Sequence, residues 1–141
     1  VASYTFTIED APRGEDVQVL SRGLTAHSLA YTQVPGFKPI GVFMRDEDGA
    51  LVGGVWGYVN WNWLFVGLVW VSDLLRGGGY GRQLMESLED AARERGCRYA
   101  HLDTFSFQAR PFYEGLGYEV FCTLDNYPPG HQRFFMKKAL K

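Results

Sequence analysis

Cysteine is scarce in this sequence: only Cys97 and Cys122 occur among 141 residues. A small secreted disulfide scaffold normally carries more. Neither cysteine falls in a CxxC or Cys/His metal spacing, so two reduced thiols and no metal centre are expected. Long apolar runs are also lacking. The longest, Leu64 to Val71, is far too short to span a bilayer. Residues Val1 to Asp10 lack the basic segment followed by an apolar run that marks a signal peptide. A cytoplasmic location without a membrane partner is therefore expected. Excess positive charge is missing too: the formal net charge is −2 and the pI about 5.9. Nucleic acid is not an expected partner, because phosphate backbones call for concentrated Lys and Arg. No repeat, low-complexity tract or dividing linker interrupts the chain, so residues 1–141 are expected to form a single domain.

Apolar residues are plentiful at 46%, with aromatics at 16%, enough for a core of this size. Alternation over Tyr4 to Ile8 predicts a first strand. Val17, Leu20, Leu24, His27 and Tyr31 then recur at helical spacing, and that helix should stop before Pro35-Gly36. Strands are predicted over Ile40 to Arg45 and Leu51 to Val59, flanking the Asp48-Gly49 turn. Asn60-Trp61-Asn62 reads as a second tight connection. Leu64 to Val71 suits a strand covered on both faces, with Gly67 marking a bulge. An amphipathic helix follows Gly81, with Leu84, Met85, Leu88, Ala91 and Ala92 as its apolar stripe. Glu89 and Arg93 form an i,i+4 pair expected on its surface. A strand over Tyr99 to Phe105 comes next, then a short helix over about Ala109 to Leu116. Strands over Tyr118 to Leu124 and Arg133 to Lys137 close the chain. The order is that of a mixed α/β layer fold, with helices packed on a central sheet of about seven strands.

The most informative segment is Val69-Trp70-Val71-Ser72-Asp73-Leu74-Leu75-Arg76-Gly77-Gly78-Gly79-Tyr80-Gly81-Arg82. An apolar strand enters a loop with four glycines in five positions, and a helix starts at once. The first N–H groups of a helix lack internal partners and carry partial positive charge. Glycines let that backbone close around phosphate oxygens. Arg76 and Arg82 bracket the loop and can add charge-assisted hydrogen bonds. A pyrophosphate-bearing ligand fits this arrangement. A nucleotide P-loop does not, since no Lys follows the glycines. A dinucleotide fingerprint would have Gly where Arg82 stands. Asp103 does lie where a ribose-binding acid belongs, but the hairpins before the loop are wrong for a leading βαβ unit.

Arg76-Gly77-Gly78-Gly79-Tyr80-Gly81 resembles the R/Q-x-x-G-x-G/A motif of the GNAT superfamily of N-acetyltransferases. One helix and one strand later, Ala109-Arg110-Pro111-Phe112-Tyr113-Glu114-Gly115-Leu116-Gly117-Tyr118 is similar to that superfamily's A-x-x-x-Y-x-x-x-G-F/Y segment. At the level of motifs the resemblance is strong from about Leu68 to Glu119. It implies an acyl-CoA N-acyltransferase fold, with helices on both faces of the sheet, and acetyl-CoA as cosubstrate. By the same resemblance, Val69 and Val71 would offer backbone groups to the pantetheine arm, and Arg76, Gly77, Gly78, Gly79, Tyr80, Gly81 and Arg82 would cradle the pyrophosphate. Ala109 would pack along the pantetheine. Ser106 stands where many members have Asn, and a hydroxyl can still hydrogen-bond there. Tyr113 would sit near the sulfur. A homodimer is compatible with the resemblance.

Amide formation from a thioester needs a neutral amine and a stabilised leaving thiolate. At neutral pH an alkyl amine is mostly protonated, so a base is needed. A phenol such as Tyr113 can protonate the departing sulfur. Asp103, two residues after His101 on the same strand face, ranks first as the base; Asp73 suits a turn role better. For the acceptor, a small-molecule amine, the candidate walls are His27 and Tyr31 on the first helix and Trp56 and Tyr58 on one strand face, with the Tyr127 to His131 loop as another. A non-catalytic acyl-CoA-binding module and a nucleotide-binding protein stay open beside the enzyme: the first would bind coenzyme without turnover, the second would bind ATP or NAD in its place.

Overall fold

A computed structural model describes residues 2–34 and 36–141. By its internal contacts the chain divides into two compact units, Val1–Val34 and Pro35–Lys141. The first unit contains helix α1, Gly14–Ser28. Glu15 and Asp16 lie in its first turn and His27 in its last, each favourable to the helix dipole. The helix ends before Tyr31, earlier than its apolar spacing suggested. Tyr4 to Ile8 form no strand: alternation is only a potential for pairing, and these residues hydrogen-bond to no neighbouring strand.

The second unit carries strands β1 (Lys38–Arg45), β2 (Leu51–Asn60) and β3 (Trp63–Val71), then helix α2 (Tyr80–Glu94). Strand β4 (Tyr99–Phe105), helix α3 (Arg110–Gly115) and strands β5 (Glu119–Asp125) and β6 (Gln132–Ala139) follow. The six strands form one sheet in the order β1-β2-β3-β4-β6-β5, one fewer than expected because Tyr4 to Ile8 form no strand. Neighbours run antiparallel except β3 and β4, which are parallel. That parallel pair requires a crossover, and α2 supplies it. The two hairpin turns adopt the conformations their sequences favour. Gly49 has φ of 83°, while Trp61 and Asn62 have φ of 49° and 65°, as a tight two-residue connection needs.

Helix α2 packs on β1, β2 and β3. Met85 and Leu88 of α2 and Leu64 and Met136 of the sheet are wholly buried, each worth roughly 2 kcal/mol of transfer free energy. Glu89 overturns an expectation: it is 2% exposed rather than on the helix surface. It follows Met85 by one turn and precedes Ala92 by three residues, so it shares their face. Its charge is met inside the fold. Tyr118 donates to Oε2 at 2.7 Å and Lys138 to Oε1 at 2.7 Å. Arg93 turns instead to Asp90, at 2.7 Å, and only approaches Glu89 at 3.9 Å.

The opposite face of the sheet is aromatic. Phe37, Tyr58, Phe65 and His101 follow one another with ring centroids 4.5, 5.0 and 5.0 Å apart, and Trp63 bridges His101 to Tyr99.

Candidate active site

The site begins with an irregularity in β3. Pairing with β2 skips a residue: Trp56 faces Leu68 while Gly57 faces Val66, leaving Gly67 as a bulge. A bulge bends its strand and adds local twist. The parallel pairing of β3 with β4 stops at the same level, at Val66↔Leu102. Both strands continue beyond it, so they part, and the backbone of Gly67 to Val71 has no partner on its β4 side. The bulge also flips the alternation. Leu64 and Val66 are buried, but beyond Gly67 it is Val69 and Val71 that lean on the core while Leu68 and Trp70 are exposed. The bulge expected at Gly67 is thus present, and it opens the sheet.

Two adjoining cavities occupy the opening. One, of about 540 Å³, is lined by Val66 to Val69, Arg76, Asp103, Thr104, Phe107, Gln108, Ala109 and Tyr113. The other, of about 520 Å³, reaches from Val69, Val71 and Tyr113 to Gly77, Gly79, Tyr80, Gly81 and Arg82. Val69, Arg76, Ala109 and Tyr113 belong to both walls.

The glycine loop keeps its amides free. Gly78 donates to the Leu75 carbonyl and Gln83 to that of Gly79. Among the described residues, the N–H groups of Gly77, Gly79, Tyr80, Gly81 and Arg82 meet no backbone acceptor, and no side chain caps α2. Gly77 and Gly79 have φ of 81° and 80°, which only glycine adopts at low cost. A Cβ at either would meet nothing within 4 Å, so the space beside the amides is open. Arg76 pairs with exposed Asp73 at 2.9 Å, which leaves Asp73 a turn role. Arg82 reaches Glu86 and the Gly115 carbonyl, each at 3.3 Å, tying the start of α2 to α3. These free amides, the two arginines and the unpaired edge of β3 fit a diphosphate ester carrying an extended amide arm.

Tyr113 stands on α3, a short helix with Pro111 in its first turn. Burial, and then the charge of Asp103, push its phenol above the usual value, so it is held protonated. Asp103 Oδ1 accepts from Arg133 Nε at 2.9 Å and lies 2.8 Å from Nη2. Oδ2 has no protein donor among the described residues and is not sealed from solvent. His101 packs edge-on to Trp63 and tilted against Phe65, and burial lowers its pKa.

Ser106, Trp56 and Tyr58 line neither cavity. The Ser106 hydroxyl accepts from the Gln132 amide at 3.0 Å and meets His131 Nδ1 at 3.2 Å, pinning the end of β4 to β6. Trp56 and Tyr58 do share a face, but Tyr58 packs between Phe37 and Phe65. Trp56 lies over Gly67 and lines a separate apolar hollow of about 160 Å³ with Phe43, Leu68 and Trp70. His27 and Tyr31 belong to the first unit, their rings 5.3 Å apart. Sequence reasoning missed Thr104, Phe107, Gln108 and Arg133. The Gln108 side-chain oxygen accepts from Thr104 Oγ1 and the Phe105 amide, both at 3.2 Å, which shapes the turn into α3. Its place beside Ala109 was the available signal; for Arg133 there was none.

Among the described residues no cluster of His, Cys, Asp or Glu could hold a metal ion, and no helix is long and apolar enough to cross a membrane. The model of the Acetyltransferase (GNAT) family matches residues 16–118. A blasticidin-S acetyltransferase of Streptomyces morookaense is 37% identical over 123 residues, covering 84% of this chain and 90% of its own. The crystal structure of an acetyltransferase from Bacillus cereus superposes with a TM-score of 0.84 at 32% identity, over 96% of this chain and 98% of that one. An aminoglycoside 6'-N-acetyltransferase, solved in complex with coenzyme A, shares the fold with a TM-score of 0.67 at 19% identity, over 89% and 88% of the two chains. With its free-amide loop, parted strands and family match, the chain belongs to the GNAT family and is an N-acetyltransferase that uses acetyl-CoA.

Proposed function

We propose that the protein acetylates a primary amine of a small-molecule acceptor by direct attack, with Tyr113 as general acid and Asp103 as general base. One observation carries this: Tyr113 and Asp103 line the same cavity, at the point where β3 and β4 part and beside the free-amide loop. Bound acetyl-CoA supplies an acyl thioester, whose acyl carbon gains a bond to the amine nitrogen as its bond to sulfur breaks. The free N–H groups from Gly77 to Arg82, with Arg76, would hold its diphosphate, and the unpaired edge at Val69 and Val71 its amide arm. Asp103, through Oδ2, would take the proton of the incoming ammonium, directly or through one water. Tyr113, kept protonated by burial, would donate its proton to the sulfur and regain one from the nitrogen, which sheds its second proton as the amide forms. Phe107, Leu68 and Gln108, which line the same cavity, would border the acceptor.

Blasticidin S is the first acceptor to test, since a relative at 37% identity carries that activity in its name. The assay is thiol release from acetyl-CoA over blasticidin S, polyamines, amino acids, aminoglycosides and a lysine-rich peptide. Turnover on a small amine is expected. Coenzyme binding with no thiol released on any of them would favour a non-catalytic binding module.

A further inference from the structure

Arg133 lies outside both cavity walls, yet aromatic rings enclose it. Its guanidinium carbon is 4.8 Å from the ring centroid of Tyr127, 4.9 Å from that of Phe135 and 5.6 Å from that of Phe105. Three strands or their connections supply this cage: Phe105 from β4, Phe135 from β6 and Tyr127 from the β5–β6 turn. Arg133 faces Phe105 in the β4–β6 register, and its side chain is 23% exposed. Rings on several sides remove water from a guanidinium and leave it few rotamers. Out of the cage it directs two nitrogens at one oxygen, Asp103 Oδ1, at 2.8 and 2.9 Å. An arginine in a stabilising surface fork usually engages both carboxylate oxygens. Here the second oxygen stays free, and Asp103 lines the cavity that also holds Tyr113.

We propose that Arg133 is a positioning residue: held by the aromatic cage, it fixes Oδ1 of Asp103 so that Oδ2 stays turned toward the acceptor amine. The proposal rests on Asp103 being the base. Arg133 itself touches neither substrate nor the reacting atoms. Its effect is rotational, since a carboxylate free to turn about its Cβ–Cγ bond would present Oδ2 to the amine only part of the time.

A double-mutant cycle tests this, with kcat and KM measured for the fastest amine of the panel above at saturating acetyl-CoA. Asp103→Asn is expected to lower kcat by about 100-fold or more, the usual worth of a general base. Arg133→Met is expected to lower kcat by about tenfold, with the amine KM changed much less. Arg133→Lys, which keeps the charge and one donor, recovers part of that loss. In the Asp103→Asn background, Arg133→Met should cost nothing further, because the group it orients is gone. A purely structural arginine would instead lower both backgrounds by the same factor, and that result overturns the proposal while leaving Asp103 as base. So does an Arg133→Met enzyme with unchanged kcat. If Asp103→Asn keeps the wild-type rate, or no amine turns over, the base assignment fails first and this one with it. Should Arg133→Met not fold, as melting would report, Arg133→Lys carries the same cycle.

Discussion

Glu89 and Asp103 are two carboxylates in one sheet-based unit, each beside a tyrosine and a cation, and they end in opposite states. Both oxygens of Glu89 are used: Tyr118 takes one and Lys138 the other, under the helix and away from water. Burial and the Glu89 charge push the Tyr118 phenol far above its usual value, so it remains a donor. Asp103 has one oxygen used and one open, and its tyrosine, Tyr113, faces a cavity. A satisfied buried network rigidifies, while one left incomplete beside a cavity has capacity for a substrate. The difference comes from the strands. Beside Glu89's partner Lys138 the β4–β6 pairing runs unbroken, whereas near Asp103 the β3–β4 pairing has ended at the level of the Gly67 bulge.

The closed site should break hardest. Glu89→Ala leaves Lys138 without its partner and the Tyr118 hydroxyl without its acceptor, at a cost of about 3 kcal/mol, the low end for a broken buried pair because Lys138 keeps some water. Denaturant unfolding measures it. Activity per folded molecule should hold, and an unchanged midpoint would show that the network contributes specificity rather than stability.

The open site should break chemically instead. Tyr113→Phe is expected to lower kcat by about 100-fold with acetyl-CoA binding and stability nearly intact. The sign of its pH dependence follows from its pKa. A general acid works while protonated, so its rate falls as pH rises through that pKa. Burial, then Asp103, raise it above 10.0, so the wild-type kcat should show no loss of this proton below pH 10. A Tyr113→Phe enzyme with undiminished kcat would remove Tyr113 from the role, and an alkaline limb well under that value that Tyr113→Phe retains would belong to another group.

A smaller effect separates the phosphate loop from an ordinary turn. Gly79 and Gly49 have nearly equal φ, 80° and 83°, and each has open space where a Cβ would go. Alanine at either costs about 1 kcal/mol of backbone strain. Only at Gly79 does the added methyl stand among free amides. Gly79→Ala should raise the KM for acetyl-CoA by about tenfold, equivalent to about 1.4 kcal/mol, while Gly49→Ala leaves it unchanged. Equal KM values in the two variants would show that the loop does not hold the coenzyme.

Much of this was legible beforehand where structure is local. The Asp48-Gly49 turn, the glycine loop and the Gly67 bulge each follow from conformational limits on a few neighbouring residues. Cross-strand information was not legible. Arg133 reaches Asp103 only because β6 enters the sheet beside β4, thirty residues later in the chain. Glu89 was misplaced because helical spacing says which residues share a face, while a buried carboxylate also needs Tyr118 and Lys138 from elsewhere. Alternation put Trp56 and Tyr58 on one face correctly, yet it could not tell that Phe37 and Phe65 would enclose Tyr58. Tyr4 to Ile8 had the pattern of a strand and form none.

The smallest expected effect lies between the two carboxylates, at His101. It shares a strand face with Asp103, and the carboxylate alone would raise its pKa. Burial among Trp63 and Phe65 wins, and the folded value lies below the ordinary 6.5. Between those two values the unfolded chain binds more protons than the folded one, so stability rises with pH there and is lost as pH falls from 6.5 through the folded value. Above 6.5 the imidazole is neutral in both states and contributes no slope. His101→Gln should therefore flatten the acid side of a stability-against-pH curve and leave the neutral side parallel to wild type. If the slope below 6.5 survives the substitution unchanged, it belongs to other groups and His101 is not held below its ordinary value by the aromatic packing.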